Sequence, residues 1–175
     1  FVFTLVSDMQ MSAGRQLVWE LPLDEVTLRK TFTVPLEGSM LHVEHELVRD
    51  RVGLTAWGLS WAGGMRRTEE TKAQTRGAYF HGTVMAEGKV QRKDPNHFRD
   101  GPRTWEGVAY FITAQNKYFM GAIVPQGDSQ GPAKLWRVES GRDEPPSVGG
   151  EILVERAAGL SSDRVGYDVY IGPLD

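Results

Sequence analysis

The sequence predicts an all-β protein, an antiparallel sandwich or barrel with little helix. Short segments that alternate apolar and polar residues recur from one end to the other, and period-2 alternation is the mark of a half-buried strand. Turn formers crowd the intervals between them: Gly63-Gly64, Glu87-Gly88, Asp94-Pro95-Asn96, Asp100-Gly101-Pro102 and Gly127 to Gly131. Glu69 to Gln74 alone reads as helical, and it is short. Many short strands at close spacing define this class.

The elements follow in order. Phe1 to Val6 and Arg15 to Leu21 read as strands. Val26, Leu28, Phe32 and Val34 alternate with Thr27, Arg29, Thr31 and Thr33, with Lys30 a lapse on the apolar side. Leu41, Val43 and Leu47 alternate with His42, Glu44 and Glu46. Pro35 to Ser39, with Gly38, supplies a turn between these two strands, which predicts a hairpin. Further strands are expected at Thr55 to Trp61, Ala78 to Ala86, Lys89 to Arg92, Trp105 to Thr113 and Asn116 to Val124. Lys134 to Glu139, Glu151 to Ala157 and Arg164 to Ile171 complete the set. The longest connection is expected at Gly141 to Gly150, which carries Pro145-Pro146.

Asn116 to Val124 stands apart because it is apolar on both faces. Tyr118, Met120, Ala122 and Val124 point one way and Phe119, Gly121 and Ile123 the other, since strand side chains alternate. A strand of that kind is expected to be central in its sheet and covered.

Composition narrows the function classes. At 175 residues the chain is one domain by length, with room for a substantial core. A formal charge of -3 with scattered Lys and Arg provides no basic field for nucleic acid. Without cysteine, disulfides and thiolate metal sites are excluded, and the composition leans toward an extracytoplasmic location. No run reaches the 18 or so apolar residues of a membrane span. The chain opens without Met, in strand-like sequence, and is expected to be a piece of something longer.

Candidate chemistry is sparse. His42 and His45, three apart on one strand, face opposite sides and hold no metal jointly; His81 and His97 lie elsewhere. Glu69-Glu70 and Asp143-Glu144 are adjacent pairs in polar segments, not carboxylates held across a pocket. Glu20, Glu106 and Asp168 are single carboxylates that nothing pairs. Neither a nucleophile elbow nor a phosphate-cradling glycine pattern occurs, and no cofactor is implied. Trp57 and Trp61 share a strand face; with Trp19, Trp105 and Trp136 they read first as core filling and second as a sugar or peptide platform.

The segment Phe111 to Pro125 resembles the periplasmic domain of the bacterial membrane insertase YidC family. Asn116, Lys117, Tyr118, Phe119 and Pro125 match that family's pattern, whereas Phe111 stands for its tryptophan and Thr113 for its glycine. Leu28 to Val34 with Leu41-His42-Val43 is similar to its upstream hairpin, and Arg67-Thr68-Glu69-Glu70 precedes Tyr79-Phe80 in the same order. Tyr170-Ile171-Gly172-Pro173 is similar to the Tyr-Val-Gly-Pro that closes the domain.

The resemblance implies a twisted supersandwich of galactose-mutarotase-like shape, of which this chain is the later part, the leading strands and the membrane region being absent. It implies a non-enzymatic role beside the insertase at the periplasmic face of the inner membrane. Implied contacts are Sec translocon accessory proteins (SecDF-like) and nascent membrane proteins. No catalytic, cofactor or metal residue follows; Asn116, Lys117, Tyr118, Phe119, Pro125, Gly172 and Pro173 are family-motif residues expected to be structural. The other reading is a carbohydrate-binding or mutarotase-like sandwich.

Overall fold

The computed structural model describes residues 2–51, 53–66, 79–141, 144–155 and 164–174. Twelve strands make up nearly all of it: β1 Thr4–Met11, β2 Gly14–Pro22, β3 Val26–Pro35, β4 Met40–Asp50, β5 Ala56–Trp61 and β6 His81–Ala86. After them come β7 Lys89–Lys93, β8 Arg103–Gln115, β9 Phe119–Gln126, β10 Gly131–Val138, β11 Ser147–Glu155 and β12 Arg164–Pro173. A single-turn 3-10 helix, Pro95–Phe98, is capped by the Asp94 carboxylate, which accepts from the Asn96 backbone N–H. The helix expected at Glu69 to Gln74 and the Arg67 to Glu70 motif lie outside the described residues.

All ladders are antiparallel. The strands run in the order β1-β2-β3-β4-β12-β9-β8-β10-β11-β5, with β6 pairing β8 and β7. The thirteen-residue β8 is where the sheet folds over. Its C-terminal half pairs β6 through Gln115 back to Ala109 and pairs β9 through Ile112 to Gln115. Its N-terminal half pairs β10 from Arg103 to Ala109. Both the β6 and the β10 ladders slip register next to Ala109, and such bulges bend a strand and increase its twist. Strand β8 thereby passes from a long first layer into a second layer of β10, β11 and β5.

The core fills the space between the layers. Ile112, Ile123 and Tyr167 come from the first layer, Leu135, Val148 and Ile152 from the second, and each is at most 2% exposed. The layers approach closely at glycines. A Cβ on Gly82 would lie 2.4 Å from Val148, one on Gly150 3.0 Å from Ile112, and one on Gly121 2.8 Å from the Trp61 ring. Trp57, Leu59 and Trp61 of β5 pack on the core from its edge, which is the core-filling reading of the paired tryptophans.

The hairpin anticipated at Pro35 to Ser39 is present, and a second forms at the turn formers Glu87-Gly88. Glu87 and Gly88 join β6 to β7 with φ of 54° and 70°, the left-handed pair of a two-residue hairpin loop. Residues 36–39 join β3 to β4.

Several boundaries differ from expectation. Strand β9 starts at Phe119 rather than Asn116, because residues 116–118 form the turn that leads into it. The first strand runs from Thr4 to Met11 rather than Phe1 to Val6; it is a sheet-edge strand exposed along almost its whole length, so no buried face imposes alternation on it. Strand β10 starts at Gly131, read as turn. Strand β11 starts at Ser147, inside the stretch read as the longest loop. Gly149 and Gly150 belong to that strand because Trp136 and Leu135 lie against its backbone: added Cβ atoms would meet them at 2.8 and 2.5 Å.

Candidate functional site

Asn116 organises the segment singled out by sequence. It is 4% exposed, and its side-chain Oδ1 accepts from the backbone N–H of Tyr118 and of Phe119, both at 2.8 Å. Its Nδ2 donates to the Arg66 carbonyl at 2.9 Å, and its own N–H donates to the Phe119 carbonyl at 2.9 Å. One short amide side chain thus closes the β8–β9 turn, as Asn does when its side chain replaces a backbone turn bond.

The terminal motif lies beside it. Strand β12 pairs β9 with Pro173 opposite Phe119 and Gly172 opposite Met120, and the Leu174 N–H donates to the Tyr118 carbonyl at 2.7 Å. Tyr170 folds its hydroxyl back to donate to the Pro173 carbonyl at 2.6 Å. A Cβ on Gly172 would sit 2.6 Å from that hydroxyl. Pro125 is buried at the far end of β9, opposite Tyr167. Six of the seven motif residues therefore meet at one end of the β9–β12 pair, and Pro125 stands apart.

Strand β9 is central, between β12 and β8, as its composition predicted. Its cover is uneven. Gly121, Ile123 and Pro125 are buried, Met120 and Val124 are half-buried, and Phe119 is 42% exposed. The expectation of full cover fails at Phe119: the Trp61 ring lies over Gly121, whereas Phe119, two residues nearer the turn, stays exposed. Lys117 is exposed, with its Nζ 4.6 Å from the Tyr118 ring centroid and 5.7 Å from that of Tyr79.

Among the described residues the carboxylates and histidines form no common site, and Glu106 is exposed on β8. Glu20 and Glu46 accept from Arg29, and Glu46 also accepts from Arg164. These groups line an open groove of ≈ 430 Å³ on the outer face of the first layer. Burial acts to raise the Glu46 pKa, and its bonds to Arg164 and Arg29 outweigh it, leaving the carboxyl below its ordinary range. Asp168 accepts from Gln126 and lies 3.0 Å from His42 Nδ1.

His45 is on the opposite face of β4 from His42, as expected, and is 2% exposed. Burial, reinforced by the Lys30 ammonium, pulls its pKa down to about 4. His45 Nε2 has no hydrogen-bond partner. The Tyr167 hydroxyl packed beside it reaches toward the Leu59 backbone, short of regular bond geometry. Sequence reasoning missed this buried histidine; its position between Val43 and Leu47 on the apolar face of β4 was the available signal. Among the described residues no group of three or more His, Asp or Glu is placed to hold a metal ion.

Fold and site together define a class: a β-sandwich domain whose Asn116 turn is fastened to the end of β12, with no converging catalytic groups among the described residues. The sequence model of the YidC periplasmic domain matches residues 2–175, and the chain belongs to that family. It is 28% identical over 163 residues to a membrane protein insertase YidC of Chlorobaculum tepidum, covering 86% of this chain and 25% of that protein. To a protein of the same name from Pelodictyon phaeoclathratiforme it is 29% identical over 124 residues, covering 67% of this chain and 20% of that protein. The chain spans a quarter or less of the length of these relatives.

Proposed function

We propose that this chain is a non-enzymatic accessory domain of a membrane protein insertase, located at the periplasmic face of the bacterial inner membrane. In this reading it assists insertion and folding of inner-membrane proteins, contacting nascent chains and SecDF-like translocon subunits through the full-length parent. The family match along residues 2–175 carries the proposal. The dispersed and already partnered carboxylates Glu20, Glu46 and Asp168 support the absence of a catalytic role.

The motif of Asn116, Lys117, Tyr118, Phe119, Pro125, Gly172 and Pro173 is read as structural, a clasp that fixes the end of β12 to the β8–β9 turn. Asn116 and the Leu174–Tyr118 bond are its fastenings.

Affinity purification of the tagged parent protein, with and without residues 2–174, tests the partner assignment. SecDF-like subunits are expected to co-purify with the complete parent and to be lost with the domain. Their full retention on the truncated parent would refute it. A sugar that raises the melting temperature of the chain would favour the carbohydrate-binding reading instead.

A further inference from the structure

The turns at one end of the first layer form a continuous row. Leu36 N–H donates to the Ala13 carbonyl at 3.3 Å, Ile171 N–H to the Ser39 carbonyl at 2.8 Å, and Leu174 N–H to the Tyr118 carbonyl at 2.7 Å. These bonds stitch the β1–β2 turn to the β3–β4 turn, that turn to the end of β12, and the end of β12 to the β8–β9 turn.

Large apolar side chains stand out along this row. Leu36 is 67% exposed, Ile171 49%, Met40 46%, Phe119 42%, Met11 39% and Leu174 38%. The described residues of these turns carry just two charges, Glu37 and Lys117. The turns at the opposite end of the same layer differ: Asp24 and Glu25 join β2 to β3, Glu87 lies between β6 and β7, and Asp128 follows β9.

We infer that this row is a membrane-contacting rim that rests in the headgroup region of a phospholipid bilayer. The inference builds on the reading of the chain as part of a membrane protein. A protein partner is a poor fit, because a stable interface buries about 800 Å² on each side and a single line of turn tips offers no broad face. A bilayer interface is deformable and takes apolar side chains about 5–10 Å deep.

The charge pattern agrees with that occupant. Exposed Leu, Ile, Met and Phe side chains enter the acyl boundary, and the exposed Arg66, whose carbonyl accepts from Asn116 at the β8–β9 turn, adds a cation beside them. Lys117, with Tyr79 and Tyr118 against its ammonium, is the combination that keeps an apolar stem low and a cation at phosphate level.

The test is sedimentation of the full 175-residue chain with vesicles, one set of phosphatidylcholine alone and one with a quarter phosphatidylglycerol. Binding to both sets is expected, stronger with the anionic lipid. Leu36→Asp and Met40→Asp should each weaken it on the order of fivefold or more, from lost apolar burial plus the desolvation of a carboxylate. Lys117→Gln should weaken the anionic preference. Val90→Asp, 62% exposed, and Val48→Asp, 46% exposed, lie at the opposite end and should bind as the parent chain does.

Absence of sedimentation, or equal loss with Val90→Asp, overturns the inference. So does a concentration-dependent dimer abolished by Leu36→Asp without vesicle binding, which would assign the rim to a second copy. Melting temperatures of all variants control for folding, and Leu36, in an exposed turn, keeps the test informative if Met40→Asp unfolds. If vesicles fail while SecDF-like subunits still co-purify, the rim falls and the proposed function stands.

Discussion

Replacing Asn116 with Ala separates a structural clasp from a working site. The substitution leaves two backbone N–H groups, of Tyr118 and Phe119, and the Arg66 carbonyl without their side-chain partner. The residue is 4% exposed, so water replaces those bonds poorly. At about 1 kcal/mol per lost bond, more where the orphan stays dry, the cost is roughly 3 kcal/mol. For a domain of this size ~1 kcal/mol shifts the melting temperature by about 2–4 °C, so a fall of roughly 6–12 °C is expected. Thermal unfolding followed by circular dichroism, with urea titration for the free energy, measures it. Asn116→Asp keeps the acceptor but sets a carboxylate against the Arg66 carbonyl, and should also destabilise. A change below ~0.5 kcal/mol, the size of an ordinary surface substitution, would refute the clasp and make the motif a candidate contact surface.

Other perturbations probe the packing and the buried charge. Gly121→Val places a branched side chain where even a Cβ lies 2.8 Å from the Trp61 ring; a loss of about 1–3 kcal/mol and a shifted tryptophan fluorescence maximum are expected. Leu135→Ala, at a fully buried position, should cost ~2–5 kcal/mol in urea unfolding. Phe119→Ala, with Phe119 42% exposed, should cost clearly less than the ~3–5 kcal/mol of a fully buried Phe. His45 gives a pH dependence. Its folded pKa of about 4 lies below the ~6.5 of an unfolded chain, so the unfolded state binds the extra proton. Stability is therefore complete above about pH 6.5 and falls as pH drops toward 4, by up to ~3 kcal/mol. His45→Gln should flatten that slope, measured as urea midpoints across the range.

How much of this was legible depended on whether a buried face wrote a pattern into the strand. Strand β4 alternates buried with half-buried residues, and β3 sets Phe32 against the core although it is half-buried along most of its length; their alternating sequences placed both elements and the hairpin between them. Strand β1 has neither face consistently buried, so Ser7 to Met11 carried no period to read. Gly149 and Gly150 looked like turn residues because glycine signals both a turn and close backbone contact; the ring of Trp136, brought over from β10, makes the second meaning the right one. The three-way pairing of β8 is a property of the layers and is absent from any local window.

The motif was legible as a resemblance, and its geometry follows from Asn116, whose side chain can close a turn. The exposure of Phe119 was hidden, because it depends on where the second layer stops. The row of exposed apolar residues was equally hidden, since Met11, Leu36, Met40, Phe119 and Ile171 come together only through strand order.

The most direct test of the accessory role is insertion of a reporter inner-membrane protein in cells whose sole copy of the parent lacks residues 2–174. Insertion is expected to continue at a reduced rate, with the largest delay for a reporter carrying a long periplasmic segment. Complete loss of insertion, with the truncated parent still present in the membrane, would place an essential step in this domain and contradict an accessory role.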